Sequence, residues 1–306
     1  MQIGIHGGTQ VVLGGGWQQV ADHARRAEAD GFSSYWINQQ VVPDAVTLLA
    51  AVGQATSTIE LGTAVVNTWT RHPAMLAAQA LTTQEIVGGR LVLGIGLAHK
   101  AGTEATYAIP YVRPAANMAE YLDVLLPALR DRTVDVAGTA WSAHLDMGGP
   151  PDIPAPQVMI AAMGPRMLEL CGSRTDGNVL WLSGPRTIAE KIRPAMERAA
   201  DAEGRDPGRI VASVPLCVTD RAPEVRGLID AFLANYNSIP SYRAVMDFEG
   251  VDGVADISIV GTEEEVRAEV DRFAEAGTTD FVVPEFTMQE DEAARTREFL
   301  RTLLPK

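Results

Sequence analysis

The stretch from Ile59 to His99, IELGTAVVNTWTRHPAMLAAQALTTQEIVGGRLVLGIGLAH, constrains the fold of this chain more than any other. Its ends, Ile59 to Val66 and Leu91 to Ile95, are short apolar runs rich in β-branched residues, the pattern of buried strands. Between them, Pro73 to Val87 carries Met75, Leu76, Ala80, Leu81 and Ile86 at roughly helical spacing. Pro73 suits a first helical turn, and Gly88-Gly89 ends the helix. Strand, helix and strand in this order imply parallel strands joined by a right-handed crossover. In such folds ligands bind beyond the carboxyl ends of the strands. Asn67, Thr68, Trp69 and Arg71 follow the first strand, and Gly96, Ala98, His99 and Lys100 the second. They are candidate binding positions, with ordinary loop polarity as the plain alternative. Gly94 and Gly96 let another surface approach the backbone closely.

The alternation continues along the chain. Further strands are expected at Met1 to His6, Ser34 to Asn38, Gln157 to Ala162, Asn178 to Leu182, Arg209 to Val218 and Thr279 to Pro284. Helices are expected at Trp17 to Ala29, with Trp17, Val20, Ala21, Ala24 and Ala27 inward, and from an Asp44 cap to Ala55. Others follow at Asn117 to Leu129, Pro165 to Ser173, Pro185 to Ala202, Pro223 to Tyr236 and Asp291 to Leu304. Thr262 and Glu265 form a capping box for a helix to Ala276. The Gly-rich segment to Gly16, the long segment Leu97 to Ala115 and the segment SIPSYRAVMDFEGVDG read as loops. Thr133 to Asp146 reads as a hairpin insertion, and Pro150, Pro151, Pro154 and Pro156 as a stiff connector. The short run Ile257 to Val260 is a ninth strand candidate for eight places and is set aside as an extra segment. A chain of 306 residues alternating in this way suits one (β/α)8 barrel, a TIM barrel with insertions in its βα loops, as a single domain over 1–306. A doubly wound sheet is the weaker alternative, because no GxGxxG follows the first strand.

Apolar residues make up 46% of the chain, enough for a large core, and the net charge of −14 argues against a nucleic-acid or anionic-membrane surface. Cys171 and Cys217 lack metal or CxxC spacing and read as core residues of a reduced, cytoplasmic protein. The chain starts directly on a strand, and it has no run of 18 apolar residues, so neither a signal peptide nor a membrane span is expected.

Several residues carry candidate chemistry. The fifth strand ends in AAMGPRM, where Gly164 and Pro165 open a helix with Arg166 in its first turn. Free N–H groups and the helix dipole suit a phosphate there. The sixth strand ends similarly, in SGPRT from Ser183 to Thr187; in both places Gly-Pro is also simply a good helix start. Of five histidines, His6 and His99 lie at carboxyl ends of strands, His23 and His144 read as surface residues, and His72 before Pro73 as structural. No pair has metal-ligand spacing and no carboxylate cluster accompanies them, so no metal is expected. No GxSxG or Ser–His–Asp signature is present. Trp36, Trp69 and Tyr107 suit either a wall for a flat ring or the core.

Together these motifs resemble the luciferase-like monooxygenases. The stretch IELGTAVV…RHPAMLAAQALTTQEIVGGRLVLGIGLAHK is similar to that family's third-to-fourth-strand signature, and AAMGPRMLELCGSRTDGNVLW to its fifth- and sixth-strand signature. PSYRAVMDFEG and GTTDFVV fit as well, and the likeness is greatest to the branch that uses the deazaflavin coenzyme F420. The resemblance implies a (β/α)8 barrel with the cofactor ring at the carboxyl ends of the strands. It implies a non-prolyl cis peptide at Ala64-Val65, with Thr63 and Asn67 alongside, as a bulge against the ring. It also implies a phosphate turn made by Ala162, Met163, Gly164, Pro165 and Arg166, with His99 and Gln39 on the cofactor side.

The resemblance implies an F420-dependent oxidoreductase acting on a small organic substrate with an activated C=C, C=N or C=O bond. An FMN-dependent monooxygenase, or a cofactor-binding protein without catalysis, is the alternative. Many relatives have an acidic residue and a histidine after the second strand, where this chain has Gln39 and Gln40. Glutamine hydrogen-bonds but does not exchange a proton near neutral pH. His6 and His99, with Tyr107 behind them, are the titratable candidates for the proton; with His99 on the cofactor side, His6 or bound water is the expected donor and Gln40 a substrate contact. The lysines that bind a sugar phosphate in some relatives have no counterpart. A homodimer is left open.

Overall fold

The structure, a computed structural model, describes residues 1–12, 14, 16–149 and 152–305. Pro150 and Pro151 of the expected connector lie outside the described residues. Eight parallel strands close into a barrel: β1 (Gln2–His6), β2 (Ser34–Ile37), β3 (Glu60–Thr63), β4 (Leu91–Gly96), β5 (Gln157–Ile160), β6 (Gly177–Trp181), β7 (Arg209–Ser213) and β8 (Asp280–Val283). Each pairs with its sequence neighbours, and β8 closes on β1 through Gln2 opposite Asp280. The expected TIM barrel is the observed fold.

Alternation along the strands builds two cores. Residues such as Ile3, Ile5, Leu61, Leu93 and Ile210 face outward and meet Val20, Ala24, Leu49, Leu76 and Leu125 from the surrounding helices. Trp36, Val92, Met159, Val179, Val211 and Val282 face inward and fill the barrel. Below them Arg209 donates to Asp280, Glu60 and Gln157, tying four strands together at the amino ends. The inner face therefore runs from a charged floor through an apolar plug to an upper layer whose residues belong to the site.

Local signals place most helices. Trp17–Ala29, Ala45–Gly53, Pro73–Ile86 and Pro165–Arg174 form where expected. Asp44 accepts from the Thr47 N–H at 2.9 Å, and Thr262 and Glu265 make the capping box of Glu263–Glu275. Thr133–Ala137 and Ser142–Asp146 form the antiparallel hairpin.

Several expectations are corrected. The seventh strand stops at Ser213, and Leu216–Val218 leaves the barrel to pair with Ile259–Gly261. Pro215 has no N–H to continue the ladder. Gly8–Val12, Lys100–Tyr107 and Pro240–Glu249 are helices where loops were expected. Lys100–Tyr107 buries only Thr103, so it carries no hydrophobic period to read. Pro240–Glu249 is bounded by Pro240 and by Gly250 at φ +80°, helix punctuation inside a segment dominated by turn residues. Trp17 is 55% exposed, because the first residue of a helix projects beyond the packed face, and Met75 and Ile86 lie on the outer face of Pro73–Ile86. His23 is buried rather than superficial: its ring bonds Tyr35 Oη at 3.0 Å and Arg297 Nη2 at 2.9 Å.

Candidate functional site

The carboxyl ends of the strands gather the candidate residues. After β3 the chain bulges at the cis peptide Ala64-Val65, then Val66–Asn67 pairs again with the end of β4. Gly94 and Gly96 make this possible. A side chain at Gly94 would collide with the Thr63 carbonyl, and one at Gly96 would stand 2.5 Å from Val65 Cγ2. The surface that these glycines admit is thus the neighbouring bulge. Thr63 is fully buried, and its hydroxyl donates to the Gly94 carbonyl at 2.7 Å, so its side chain holds the bulge instead of facing a ligand. Ala64 and Val65 rest on the inward-facing plug, which gives the bulge a rigid base.

The two Gly-Pro helix starts differ. Gly164 is exposed, and a Cβ there would meet nothing within 4 Å. Asn178 clamps Ala162, two residues before Gly164, from both sides, accepting from its N–H at 3.0 Å and donating to its carbonyl at 2.9 Å. Ala162 is buried and Met163 half-buried, whereas Pro165 and Arg166 are exposed. The turn is therefore held firmly behind and left open in front, with the first N–H groups of a ten-residue helix accessible. At the second start the Glu249 carboxylate accepts from the Thr187 N–H at 2.6 Å and lies against Gly184, so an internal anion already takes that position. Only the Gly164 turn offers an open anion cradle of the two.

A line of rings connects the mouth of the barrel to β4. His6 stacks on Trp181 at 6.3 Å, Trp181 meets Tyr236 at 6.3 Å, Tyr236 meets Tyr242 at 4.9 Å, and both tyrosines present edges or faces to His99. The three aromatic residues singled out from the sequence stand outside this line of rings. Trp36 is buried in the plug, Trp69 packs on Tyr111 at 4.9 Å, and Tyr107 closes an exposed helix. Trp181 ends its strand, Tyr236 lies at the end of the helix expected over Pro223 to Tyr236, and Tyr242 lies in a segment read as a loop, so nothing local directed the two tyrosines to the site.

Electrostatics separate the two histidines from ordinary acids. Burial holds the His6 ring down to about 4, and burial also lowers His99. The Gly8 N–H donates to His6 Nδ1 at 3.0 Å, so the neutral ring carries its proton on Nε2. A ring held down to about 4 by burial, with Nδ1 accepting from the Gly8 N–H, is uncharged near pH 7. Gln39 is also committed locally, its amide donating to the Gln40 carbonyl at 2.6 Å and accepting from the Ala45 N–H at 3.1 Å. Asn67 accepts from the Trp69 N–H at 3.0 Å. Gln40, half-buried at the exit of β2, makes no such side-chain bond among the described residues. Two inward-facing polar groups escaped sequence reasoning. Asn38 Oδ1 and Ser213 Oγ, at the upper ends of β2 and β7, are buried without a hydrogen-bond partner in the protein.

Comparison with known proteins shows the family and the fold. The family model described as luciferase-like monooxygenase matches residues 1–280. A 5,10-methylenetetrahydromethanopterin reductase from Methanolobus tindarius is 27% identical over 299 residues, covering 86% of this chain and 89% of the relative. An F420-dependent secondary alcohol dehydrogenase, solved with an F420-acetone adduct, superimposes with a TM-score of 0.80 at 19% identity, covering 99% of this chain and 98% of its own. The oxygenating component of 3,6-diketocamphane monooxygenase from Pseudomonas putida, solved with FMN, superimposes with a TM-score of 0.77 at 18% identity over the full length of both chains. The chain belongs to the luciferase-like monooxygenase family and is an enzyme of that family.

Proposed function

We propose that this enzyme is an F420-dependent oxidoreductase that moves a hydride between the deazaflavin and a small organic substrate. The observation that carries the reading is the continuity of the Ala64-Val65 bulge, the aromatic wall and the open Gly164 turn at one end of the barrel. A flat ring joined to a phosphate fits that sequence of surfaces. The orphaned Ser213 hydroxyl and the accessible N–H groups at Gly164 supply polar partners for such a molecule. When bound, the deazaflavin supplies a hydride at C5 and little oxygen chemistry. The rest is the work of the chain. Ala64 and Val65 support one face of the ring, Ala162 to Arg166 hold the phosphate, and His99 lies on the cofactor side. His6 and Gln40 face the substrate and orient it.

FMN is the second reading, favoured by the FMN-bound neighbour of the same fold. Titrating the purified enzyme with each cofactor and following fluorescence separates them. Tight F420 binding with weak FMN binding is expected; the reverse would replace hydride transfer with flavin-dependent oxygenation. A screen of ketones, imines and activated alkenes with reduced F420 tests catalysis, and turnover of any of them excludes a pure cofactor carrier.

A further inference from the structure

The upper layer of the barrel holds a histidine whose tautomer is set by the backbone. Gly8 N–H donates to His6 Nδ1 at 3.0 Å. A Cβ at Gly8 would stand 2.5 Å from both His6 Cε1 and Asn38 Oδ1, so glycine keeps these two side chains packed beside that N–H. Trp181 stacks toward the ring, with centroids 6.3 Å apart. Trp181 is the register partner of Ser213, whose hydroxyl is buried without a partner and faces inward like Val211 two residues before it. The titratable groups around His6 are Tyr35, behind Gly7, and Tyr236, Tyr242 and His99 beyond Trp181. Burial raises the first three and lowers His99, so all stay neutral near pH 7. Among the described residues no ion pair involves His6.

We propose that His6, locked by Gly8 as the Nε2–H tautomer, and the Ser213 hydroxyl are fixed neutral hydrogen-bond donors to a substrate oxygen, so that the enzyme acts on an uncharged ketone or aldehyde. The inference rests on the oxidoreductase reading and selects among its substrates. In the reductive direction the carbonyl carbon accepts a hydride, with reduced deazaflavin as the reductant. The C=O electron pair moves onto the oxygen, where His6 Nε2–H and Ser213 O–H stabilise the charge, and a water proton completes the alcohol. His6 is neutral before and after. Saturating an activated C=C bond instead requires a proton delivered to carbon, which water supplies far more slowly than to an alkoxide oxygen, and a neutral imidazole is too weak an acid to replace it.

The donor is tested by 15N NMR of the enzyme labelled at histidine, with and without F420, from pH 5.5 to 9. A His6 signal fixed as the Nε2–H tautomer and not titrating is expected; titration in that range, or the Nδ1–H form, overturns the proposal. The substrate class is tested with 2-cyclohexenone, which offers both bonds, and with cyclohexanone. Reduction at the C=O bond is expected; saturation of the C=C bond, or no turnover of either ketone, overturns it. His6→Phe should lower kcat/KM for cyclohexanone a hundredfold or more at unchanged F420 affinity, whereas His6→Gln, which keeps a neutral donor, should stay within tenfold of the parent. Equal losses in both variants would overturn the donor role. Failure to bind F420 at all would refute the oxidoreductase reading, while the NMR result would still decide the state of His6.

Discussion

At the residue scale, the decisive contrast is between Gly164 and Gly184. Both open a helix before proline, and the sequence around them is nearly the same, yet only Gly184 is covered by a carboxylate, that of Glu249. Gly164 has φ −86° and ψ 153°, which any residue adopts, and open space where a side chain would go. Gly164→Val should therefore change folding stability by less than about 0.5 kcal/mol. If phosphate meets the backbone N–H groups there, the same change should weaken cofactor binding about tenfold or more, on the order of 1.5 kcal/mol for a hydrogen bond to a charged group. Fluorescence titration and urea denaturation of the one variant give both numbers. Unchanged affinity would mean the turn is only a helix start. Gln39 makes the complementary point: its side chain closes its own loop, so a polar residue at a strand exit is not thereby a ligand contact.

At the element scale, caps and loop anchors do much of the positioning. Thr262 and Glu265 cap Glu263–Glu275 reciprocally, and Thr262→Ala should cost about 1 kcal/mol by thermal or chemical unfolding. Glu28 anchors the turn before β3, accepting from the N–H groups of Ser57 at 2.7 Å, Thr58 at 2.6 Å and Ile59 at 2.9 Å. Burial opposes its charge, but these donors outweigh burial and hold the carboxyl down to about 2, against 4.5 ordinarily. A depressed folded-state pKa contributes stability that is present above 4.5 and is lost as pH falls toward 2. Glu28→Gln should therefore lower stability at pH 7 and flatten the stability profile over that acid window. An unchanged acid limb in the variant would show that other carboxylates carry it.

At the scale of the whole molecule, the barrel is closed twice, by its strand ladder and by the Arg209 network at its floor. Arg209 reaches Glu60 on β3, Gln157 on β5 and Asp280 on β8, and Asp280 is nearly inaccessible. Arg209→Leu leaves those carboxylates uncompensated and should cost about 3 kcal/mol in urea denaturation. Because the floor is separated from the site by the Trp36 plug, cofactor affinity should persist in the folded fraction. Loss of cofactor binding without loss of stability would mean that the floor and the mouth are coupled.

The sequence alone favoured the architecture, since strands alternating with helices over the whole chain, with no GxGxxG after the first strand, suit a barrel better than a doubly wound sheet, and Gly, Pro, Asp44 and Thr262 punctuated it locally. It also located the Gly164 helix start at a strand end, and the family resemblance of its third-strand motif pointed to the bulge at Ala64-Val65. What it did not carry was everything set by neighbours distant in the chain. The barrel alone brought Tyr236 and Tyr242 onto His99, and set Glu249 over Gly184 but nothing over Gly164. Only burial and the Gly8 N–H left the His6 ring uncharged, with Nδ1 as an acceptor. Proton affinity depends on the dielectric and on the hydrogen-bond partners around a ring, and those exist only once the strands have closed.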